Sequence, residues 1–582
     1  MQVWHIQRKK TDFKEIASQF NIDQVTARLL WNRDIPLDKI EKFLYGDMSH
    51  FHDESLLKDM ALAKRILFDA INRNDKIRIV GDYDVDGICA TTILFKALTM
   101  LEANVDWDIP NRIIDGYGIN RAIVKRAYDE GVKVIITCDN GISACDAISY
   151  AKELGMMVVI TDHHELPEVL PKADAIINPK QPDCHYPCDM LCGAGVAYKL
   201  SLALLKERGI EKEATFVLLE YVALATVADM VPLVDENRLL VQIGLKYLKK
   251  TNQVGLKMLL NELEIKQENL QSYHIGFMIG PTLNAGGRLD TAKKCVKLLL
   301  ENNEVEARVL SEELVELNKT RKQMTEVMTY EGVNKAREYE EDRVLVIYLP
   351  ECHESIAGIV AGRIKEEFYK PTIVLTNGEK GIKGSARSIE AYDMFKALSE
   401  LSEYFLAFGG HPMAAGMTLK TKDVDAFRRE INNKCRLTQE DMVEHIYIDM
   451  AMPLRYVDES LLREFDLLEP FGIGNPKPTF GESGAKVISA KVFGNDRRVL
   501  KLSLRSRENF VYQAVMFQHI DEFFDEMRRE FGDAEVAKAK RGEANTLYVT
   551  CIYFPVLNEY RNQKTFQMQV RAIKASKNTE TP

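Results

Sequence analysis

The sequence predicts an α/β protein of several domains, and three features of the 582-residue chain support this prediction. Apolar segments alternate with helical segments over residues 76–178, a pattern typical of a parallel sheet covered by helices on both faces. A long, strongly charged helical segment follows, and a second, smaller alternating region begins after it. Five alternating strands near the C-terminus then predict a β-barrel.

Residues 1–45 are predicted to form a short helical lead-in, and residues 46–235 the first α/β domain. Within that domain, apolar runs without polar interruption indicate strands that are buried on both faces. The predicted strands are residues 76–81, 105–110, 132–137, 156–161 and 173–178, and the predicted helices between them are residues 88–101, 122–131 and 142–155.

Residues 236–340 are predicted to be almost wholly helical, and their last 39 residues, 302–340, to form one or two long charged helices. A long polar helix often bridges two domains, and a smaller α/β domain is predicted at residues 341–440. Residues 441–575 hold five alternating strands and a charged helical insert, which fit an oligonucleotide-binding (OB-fold) barrel. The polar tail, residues 576–582, is predicted to be disordered.

Composition excludes several classes of protein. The net charge of −10 argues against a protein that coats nucleic acid through bulk charge, although it allows a local basic groove. The N-terminus has no apolar signal region, and no apolar run approaches the length of a membrane span. Ten irregularly spaced cysteines indicate reduced thiols. We therefore expect a cytoplasmic protein without a membrane segment.

One group of cysteines allows two interpretations. The segment "CHYPCDMLC" contains Cys184, His185, Cys188 and Cys192, which could bind zinc or an iron–sulfur cluster. Structural zinc sites more often use C-x2-C pairs, and no second pair lies nearby in the sequence. Buried free thiols are the favoured interpretation.

Three aspartates, Asp82, Asp84 and Asp86, follow the first predicted strand of the parallel sheet within five residues. Carboxylates that converge repel each other and lose hydration. Capping of the next helix explains one acidic residue in such a loop, but not three. A divalent cation would neutralise the group.

Other segments bring further acidic and imidazole side chains. Asp139 follows the strand "VKVIIT", Asp162, His163 and His164 follow the strand "MMVVIT", and Asp229 follows an apolar helix. Ligands bind outside the carboxyl ends of parallel strands, so these side chains are predicted to share one crevice. Carboxylates with one or two histidines suit Mn²⁺ or Mg²⁺, and this number suffices for two ions about 3.5–4 Å apart.

The motifs "GDYDVDG", "CDNGIS" and "TDHHELP" resemble the first three motifs of the DHH phosphoesterase superfamily. Further segments, in order over nearly the whole chain, resemble the superfamily's bacterial exonucleases for single strands: "PNRIIDGYGIN", "NPKQPDCHYP", "CGAGVAYKL", "ATVADMVPL", "GPTLNAGGRLDTA", "FGGHPMAAG" and "EPFGIGNP". The resemblance implies a DHH catalytic domain, a connecting helix, a DHH-associated substrate-binding domain and an OB-fold.

The resemblance also implies an activity, which is 5′-to-3′ hydrolysis of single-stranded DNA to 5′-mononucleotides in DNA repair and recombination. It implies two Mn²⁺ or Mg²⁺ ions and two partners, a helicase and a single-strand-binding protein; a monomer is our default expectation. The implied metal ligands are Asp84, Asp86, Asp139, His163 and Asp229, with Asp82 as a ligand or as a residue that orients water. Asp139 suits a bridging position, and His164 a contact with the substrate phosphate or with a ligand.

Two candidate substrate contacts precede the second α/β domain: Arg112 in "PNR" and Arg288 in "NAGGR". The other candidates lie in the second α/β domain: Lys383, Ser385, Arg387, Ser388, Gly409, Gly410 and His411. The glycines allow the backbone to approach a phosphate closely. Without the resemblance, the two arginines would be interpreted as surface residues, and "FGGH" as a helix stop.

The predicted barrel carries basic residues interleaved with aromatic ones: Arg497, Arg498, Lys501, Arg505 and Arg507 with Phe493 and Phe510. On such a surface, basic side chains can bind the phosphates of single-stranded DNA and aromatic rings can stack on its bases. Alternation along a strand also produces an ordinary solvated charged face, so both interpretations remain open.

The sequence departs from the family pattern at three positions of the second domain. Cys352 stands where tryptophan is usual, Ser355 where glycine is usual, and Ala386 where glycine is frequent. These changes do not alter the predicted metal ligands, but they alter the part of the second domain that is expected to bind the 5′ end of the strand.

Three alternative functions fit parts of the sequence. A phosphodiesterase for short oligonucleotides or cyclic dinucleotides shares the two-domain core, but usually lacks the intervening motifs and the barrel. A non-catalytic DNA-binding scaffold on the same fold loses metal ligands, whereas each ligand position here is acidic or histidine. An inorganic pyrophosphatase has no need of a barrel.

Overall fold

The structure, a computed structural model, describes residues 2–112, 114–378, 381–420, 423–494, 499–560 and 563–576. The chain divides into two compact units, one formed by residues 51–444 and the other by residues 1–50 together with 445–582. Arg497, Arg498 and residues 577–582 of the predicted disordered tail lie outside the described residues. Our finer division into six segments stays a prediction.

The N-terminal segment begins with a strand, which corrects the expectation of a purely helical lead-in. It contains β1 (Gln2–Ile6), α1 (Phe13–Phe20), α2 (Gln24–Asn32) and α3 (Ile40–Tyr45). Asp12 and Asp23 accept hydrogen bonds from the first amides of α1 and α2 and so fix where those helices begin. The sequence pattern of this strand does not predict it, because the strand forms only by pairing with the distant β12 segment, residues 444–448.

The first α/β region has a five-stranded parallel sheet of order β3-β2-β4-β5-β6, which confirms the predicted sheet. Its elements are α4 (Met60–Asn72), β2 (Ile77–Val80), α5 (Val85–Met100), β3 (Val105–Asp108), α6 (Arg121–Asp129), β4 (Val134–Cys138), α7 (Cys145–Glu153), β5 (Met157–Thr161) and β6 (Ala175–Ile177). Strands β2 and β4 are buried at every position. The four neighbouring pairs are all parallel, so the carboxyl ends of the strands share one edge.

A helical region follows: α8 (Gly193–Glu207), α9 (Phe216–Ala228), α10 (Asp235–Leu248), α11 (Val254–Glu262), α12 (Ser272–His274), α13 (Gly280–Leu289), α14 (Lys293–Leu300) and α15 (Glu304–Glu338). A π-helical turn, Ile275–Ile279, joins α12 to α13. The charged segment forms one helix of 35 residues, α15. It packs against α11 and α13 at one end and α16 (Glu354–Phe368) at the other, as expected for a helix that connects two domains.

The second α/β region has a mixed sheet of order β10-β11-β9-β8-β7. Its remaining elements are β7 (Leu345–Tyr348), β8 (Thr372–Gly378), β9 (Gly381–Arg387), α17 (Met394–Ser399), β10 (Phe405–His411), β11 (Ala414–Leu419) and α18 (Val424–Lys434). The segment "FGGH" lies in β10 and pairs with β11, so its interpretation as a helix stop is wrong. Glycine is common both in β-hairpins and just after helices, so the local sequence alone does not distinguish the two.

The C-terminal region forms a closed barrel, since β14 pairs with both β15 and β17 in the order β14-β15-β16-β18-β17. Its elements are β12 (Glu444–Ile448), β13 (Met450–Ala451), α19 (Glu459–Leu467), β14 (Phe480–Phe493), β15 (Val499–Arg505), β16 (Val511–Met516), α20 (Ile520–Phe531), α21 (Asp533–Arg541), β17 (Tyr548–Tyr560) and β18 (Gln563–Ala575). Five strands with a helical insert after the third confirm the predicted OB-fold.

The barrel shares its apolar core with the N-terminal helices. Leu29 and Leu30 of α2 belong to the same buried cluster as Phe480, Leu502 and Val549 of the barrel. Among the helices that the structure describes, none is both long and apolar enough to cross a membrane.

Candidate active site

The predicted acidic and imidazole side chains meet at the carboxyl edge of the parallel sheet. The Nε2 atom of His163 lies 3.1 Å from a carboxylate oxygen of Asp139, 3.6 Å from one of Asp86 and 3.8 Å from one of Asp229. Asp86 and Asp139 are almost fully buried, and His163 is buried as well. Loops after three different strands and the end of α9 therefore deliver side chains to one point.

Three sets of ligand atoms lie close enough to hold a cation, with the atoms of each set within 4.8 Å of one another. The sets are Asp139 with His163 and His164, Asp86 with His163 and Asp229, and Asp82 with Asp84 and Asp139. Asp139 and His163 each belong to two sets. The overlap brings together all seven residues predicted from the sequence, and the presence of Asp139 in two sets is compatible with a pair of neighbouring ions.

Unpaired buried atoms at the centre fit a cation. The Oδ1 atoms of Asp82 and Asp139 and the Nε2 atom of His163 are buried and make no hydrogen bond. Buried polar atoms are normally paired, and each exception needs an explanation. Carboxylate oxygens and an imidazole nitrogen that face each other without a shared proton suit a divalent ion such as Mn²⁺ or Mg²⁺.

Two of the carboxylates are held by the starts of helices. Asp84 caps α5, because its Oδ1 accepts hydrogen bonds from the amides of Asp86 and Gly87. Asp86 accepts hydrogen bonds of 2.6 and 2.7 Å from the amides of Gly193 and Ala194 at the start of α8. A helix N-terminus stabilises a carboxylate, so capping and metal binding can act on the same side chain.

The electrostatics of the centre disfavour several negative charges without a cation. Burial, followed by repulsion from Asp84, raises the pKa of Asp82 well above its usual range. Burial, followed by repulsion from Asp86, has the same effect on the pKa of Asp139. Burial and the charges of Asp86 and Asp84 raise the pKa of Asp229 to about 8. Bound cations reverse this preference.

The adjacent histidines have different environments. Burial lowers the pKa of His163, which favours the neutral imidazole that binds metal. For His164, burial is outweighed by a 2.7 Å hydrogen bond between its Nδ1 and Asp162, and its pKa is raised to about 9. His164 is therefore suited to carry a positive charge beside the centre, which agrees with its predicted contact with a phosphate.

Arginines form a basic cluster, defined here as Arg112, Arg288, Arg321 and Arg387, beside the acidic centre. Burial, followed by the charges of the other three, lowers the pKa of Arg288 to about 10. Arg112 stacks on the ring of Tyr83 at 4.9 Å, within the loop that also carries Asp82 and Asp84. Like charges placed together next to a cation site indicate an anion, because a phosphate neutralises them through several hydrogen bonds.

The other predicted substrate residues lie on two strands of the second α/β region. Lys383, Ser385 and Arg387 alternate along β9 and share its partly exposed face, whereas Ser388 is buried and donates to the carbonyl of Tyr392. Lys383 also pairs with Glu354 at 2.6 Å.

Gly409, Gly410 and His411 are exposed on β10. Gly410 has φ of 149°, and an added Cβ would approach the carbonyl oxygen of Ala414 to 2.4 Å, so glycine is required there. The hydrogen bond from Lys180 lowers the pKa of Glu165, against the effect of its burial, and the charges of His411 and His163 act in the same direction as Lys180.

One of the three positions that depart from the family pattern, Ser355, takes part in a hydrogen bond to Arg288 of the helical region that precedes the second α/β region. Arg288 donates a 2.6 Å hydrogen bond to the carbonyl of Ser355, near the start of α16. Ser355 in turn hydrogen-bonds the ring of His353. Cys352 and Ala386, at the other two positions that depart from the pattern, are both buried.

Sequence reasoning placed Asp162 in the crevice without assigning it a role, and it assigned none to Tyr117, Asn284 and Arg321, which also shape the centre. Asp162 accepts hydrogen bonds from the amides of Ile142, His163 and His164 and orients that loop. The hydroxyl of Tyr117 lies 3.2 Å from Nε2 of His164, and Asn284 accepts from the amide of Val85. Asp162, Tyr117 and Asn284 stand inside quoted motifs, whereas Arg321 on α15 carries no local signal.

The structure places two of the aromatic residues predicted on the barrel surface next to cations. Lys501 lies over the ring of Phe493 at 5.0 Å, and Arg455 over Phe510 at 5.9 Å. Both rings are about half exposed. Exposed rings with adjacent cations fit a surface that stacks bases.

The cysteine group is consistent with free thiols. Cys188 and Cys192 are buried, Cys184 is half-buried, and all three are free. Cys192 caps α8, where its Sγ accepts from the amide of Gly195. Among the residues that the structure describes, the sets of side chains close enough to hold a metal do not include these cysteines.

Comparison with known families identifies three domains in this chain. The model of the DHH family N-terminal domain matches residues 76–226, that of the DHHA1 domain residues 341–437, and that of the RecJ OB domain residues 448–572. The fold and the site thus define a DHH phosphoesterase.

Individual relatives specify the family. The single-stranded-DNA-specific exonuclease RecJ of Haemophilus influenzae is 33% identical over 532 residues, which cover 88% of this chain and 90% of the relative. RecJ of Bacillus subtilis is 38% identical over 515 residues, 87% of this chain and 64% of that longer relative. The chain belongs to the RecJ family.

A solved structure agrees with this assignment. RecJ from Thermus thermophilus in complex with Mn²⁺ matches with a TM-score of 0.82 and 26% identity, covering 99% of this chain and 80% of that one. The same protein has been solved in complex with Mg²⁺.

Proposed function

We propose that this protein is a metal-dependent exonuclease that hydrolyses single-stranded DNA from the 5′ end to 5′-mononucleotides. The observation that carries the proposal is the juxtaposition of an acidic centre with unpaired ligand atoms and a basic cluster. Relatives named as single-stranded-DNA-specific exonucleases support the substrate.

Each part of the centre has a role in this proposal. Asp82, Asp84, Asp86, Asp139, His163 and Asp229 would hold two Mn²⁺ or Mg²⁺ ions, and Asp139 belongs to two of the sets of ligand atoms. When bound, the ions lower the pKa of water and neutralise charge on the phosphate. Protonated His164, oriented by the hydrogen bond between its Nδ1 and Asp162, donates from Nε2 to a phosphate oxygen, which replaces the Tyr117 hydroxyl as the partner of that nitrogen.

The basic cluster and the second α/β region hold the strand. Arg112, Arg288 and Arg387 bind the phosphate at the 5′ end, and Ser385 on β9 adds a hydroxyl donor to it. The β10 backbone at Gly409 and Gly410, together with His411, contacts the adjacent phosphate. Two-point binding at a fixed distance from the metal centre explains removal of one nucleotide at a time.

The barrel raises affinity for long strands without taking part in the chemistry. We further propose a role in DNA repair and recombination in the cytoplasm, with a helicase and a single-strand-binding protein that supply the substrate. That role and a monomeric state rest on the family resemblance.

The test compares substrates. With Mn²⁺, a 5′-labelled single strand is expected to release labelled mononucleotide, while the same strand in a blunt duplex is expected to persist. Cleavage of dinucleotides or cyclic dinucleotides with the long strand left intact would assign the short-substrate phosphodiesterase instead. Binding of the strand without any cleavage would assign a non-catalytic scaffold.

A further inference from the structure

A groove in the unit that contains the barrel has no role in the function described so far. It has a volume of about 650 Å³ and is lined by side chains from three segments, residues 21–25, 450–456 and 458–464. These segments are the turn between α1 and α2, the strand β13 with the turn after it, and the first turns of α19. We call this cavity the α2–α19 groove.

The floor of the α2–α19 groove is apolar. Ile22, Met452 and Leu461 border it and belong to the buried core that the N-terminal helices share with the barrel. The ring of Tyr456 stands exposed at its rim. A concave surface with an apolar floor and a few polar groups is the usual form of a binding site.

The charged side chains that line the groove are all acidic. Asp23 and Asp458 cap α2 and α19, where they accept hydrogen bonds from the amides of Val25 and Leu461, and Glu464 accepts from the amide of Asp23. In the part of the chain that the structure describes, the lining of the groove contains no lysine, arginine or histidine. The groove therefore presents three negative charges around an apolar floor, and its charge complement is a cation.

One wall of the groove is the edge of a strand. Met450 and Ala451 form β13, which pairs with Phe480 and Gly481 of β14, and among the described strands β13 has no second partner. Side chains alternate between the two faces of a strand, so lining by consecutive residues, 450–453, means that the groove runs along this edge. An unpaired strand edge is a template for an extended peptide.

These features select among possible occupants. Three carboxylates repel the phosphates of a nucleic acid. A small organic cation would complement the charges but leave the strand edge unused. An extended peptide with apolar and basic side chains complements the floor, the charges and the edge together.

We propose that the α2–α19 groove binds an extended segment of a partner protein in which apolar residues alternate with lysine or arginine. The apolar side chains enter the floor, the basic side chains pair with the three carboxylates, and the backbone adds to the edge of β13. The metal centre belongs to the other compact unit, residues 51–444, so the proposal is tested independently of cleavage.

The test uses a model peptide and the full chain. The probe is a labelled peptide of seven residues in which valine alternates with lysine, and its charge-reversed counterpart alternates valine with glutamate. Fluorescence anisotropy measures the affinity of each peptide at low and at high salt. Hydrogen exchange of the backbone amides then shows where the peptide is bound.

The variants remove charge or space from the groove without removing a helix cap. Asp23→Asn combined with Asp458→Asn removes two charges, and asparagine still caps a helix. Asp53→Asn combined with Asp393→Asn is the matched control, because these residues cap helices in the other unit. Ala451→Phe fills the groove from an exposed position on β13.

We expect the valine–lysine peptide to bind wild type and the control variant equally, and more weakly at high salt. The Asp23→Asn, Asp458→Asn variant is expected to bind it about five-fold or more weakly, since two ion pairs are lost. Ala451→Phe should not bind it, and the valine–glutamate peptide should not bind wild type. Amides of residues 450–453 are expected to exchange more slowly in the complex.

Several results would overturn the proposal. The first two are equal affinity of the double variant and its control, and equal binding of both peptides to wild type. Slower exchange elsewhere with none at residues 450–453 would place the peptide outside the groove. A dimer of the chain that Ala451→Phe dissociates would assign the groove to a second copy, and loss of single-strand binding in that variant would assign it to DNA.

Discussion

Asp139 illustrates how single residues are held in an unfavourable state for function. Its carboxylate is buried, has an unpaired oxygen and lies 3.1 Å from the unpaired nitrogen of His163. Its backbone has φ of 60°, which few residues other than glycine adopt. Strain and unpaired atoms at one position are typical of a functional site.

Replacing Asp139 tests this account. We expect Asp139→Asn to abolish Mn²⁺ binding, measured by calorimetry, because the shared ligand is lost. The metal-free variant should melt at the same or a higher temperature than the metal-free wild type, since one buried, repelling carboxyl group is removed. Asp146→Asn, an exposed change on α7, is the control; loss of Mn²⁺ binding there would show that the effect is not specific.

The raised carboxyl pKa values predict how stability depends on pH. A carboxyl group whose pKa is raised in the folded state binds its proton more tightly there, so its contribution to stability is lost as pH rises through the folded value. For Asp229 that loss extends from about pH 4 to about pH 8. Bound Mn²⁺ removes the repulsion.

The increase in melting temperature produced by Mn²⁺ should therefore grow between about pH 6 and pH 8. Thermal unfolding with and without the ion at several pH values measures it. A constant increase over that range would contradict the protonation of these carboxyl groups in the metal-free protein.

At the scale of residues, the sequence was sufficient to predict which side chains meet where they follow strands in recognisable motifs; their role as metal ligands stays a prediction. All seven predicted residues of the centre lie within its three overlapping sets. Arg321 could not be predicted, because it reaches the centre through the packing of a helix whose local sequence resembles that of any other helix. Asn284 stands inside a recognised motif, but nothing in the sequence indicates its contact with the amide of Val85.

Close packing of elements sets the position of the centre. The start of α8 approaches Asp139 so closely that a Cβ added to Gly193 would lie 2.6 Å from the Cβ of Asp139 and 2.9 Å from its Cα. Gly193 also donates its amide to Asp86. At Gly195, two residues later, an added Cβ would meet Leu191 at an ordinary 3.4 Å.

These two glycines provide a matched pair of variants. Gly193→Ala is expected to displace α8 from Asp139 and Asp86 and to reduce kcat by a factor of about ten or more, since small displacements of catalytic groups are costly. Gly195→Ala should retain activity and gain up to about 1 kcal/mol of stability, because alanine favours the helix. Equal activity of both variants would show that the approach of α8 does not matter.

Elements were predictable where periodicity was strong. The continuous apolar strands β2, β4 and β5 and the charged α15 follow directly from their sequences. Strand β1 and the β10–β11 hairpin were not predicted correctly, because a short strand is defined by its partner rather than by its own pattern. The π-helical turn likewise depends on tertiary packing against α9.

At the scale of the molecule, the two compact units differ from a simple order of domains along the chain. The N-terminal helices share the core of the barrel, where Leu29, Leu30, Ile40 and Leu44 are buried. Pairing between the two ends of a chain leaves no local signal, so the lead-in was predicted as a separate segment.

This organisation predicts the effect of truncation. Residues 51–444 alone are expected to keep Mn²⁺-dependent cleavage but to bind long single strands more weakly, with a smaller dependence on salt. Removing only residues 445–582 leaves the apolar faces of α2 and α3 uncovered, and that protein should aggregate more readily. Unchanged affinity and salt dependence of residues 51–444 would refute a role of the barrel in binding.

The central claim is that the carboxylate–histidine centre removes nucleotides from the 5′ end. The most direct measurement follows one single strand, labelled at either its 5′ or its 3′ end, during a time course with Mn²⁺, for wild type and for Asp139→Ala. Wild type is expected to release the 5′ label at once as mononucleotide and the 3′ label late, and Asp139→Ala is expected to release neither. Early release of the 3′ label, or equal degradation by both proteins, would contradict it.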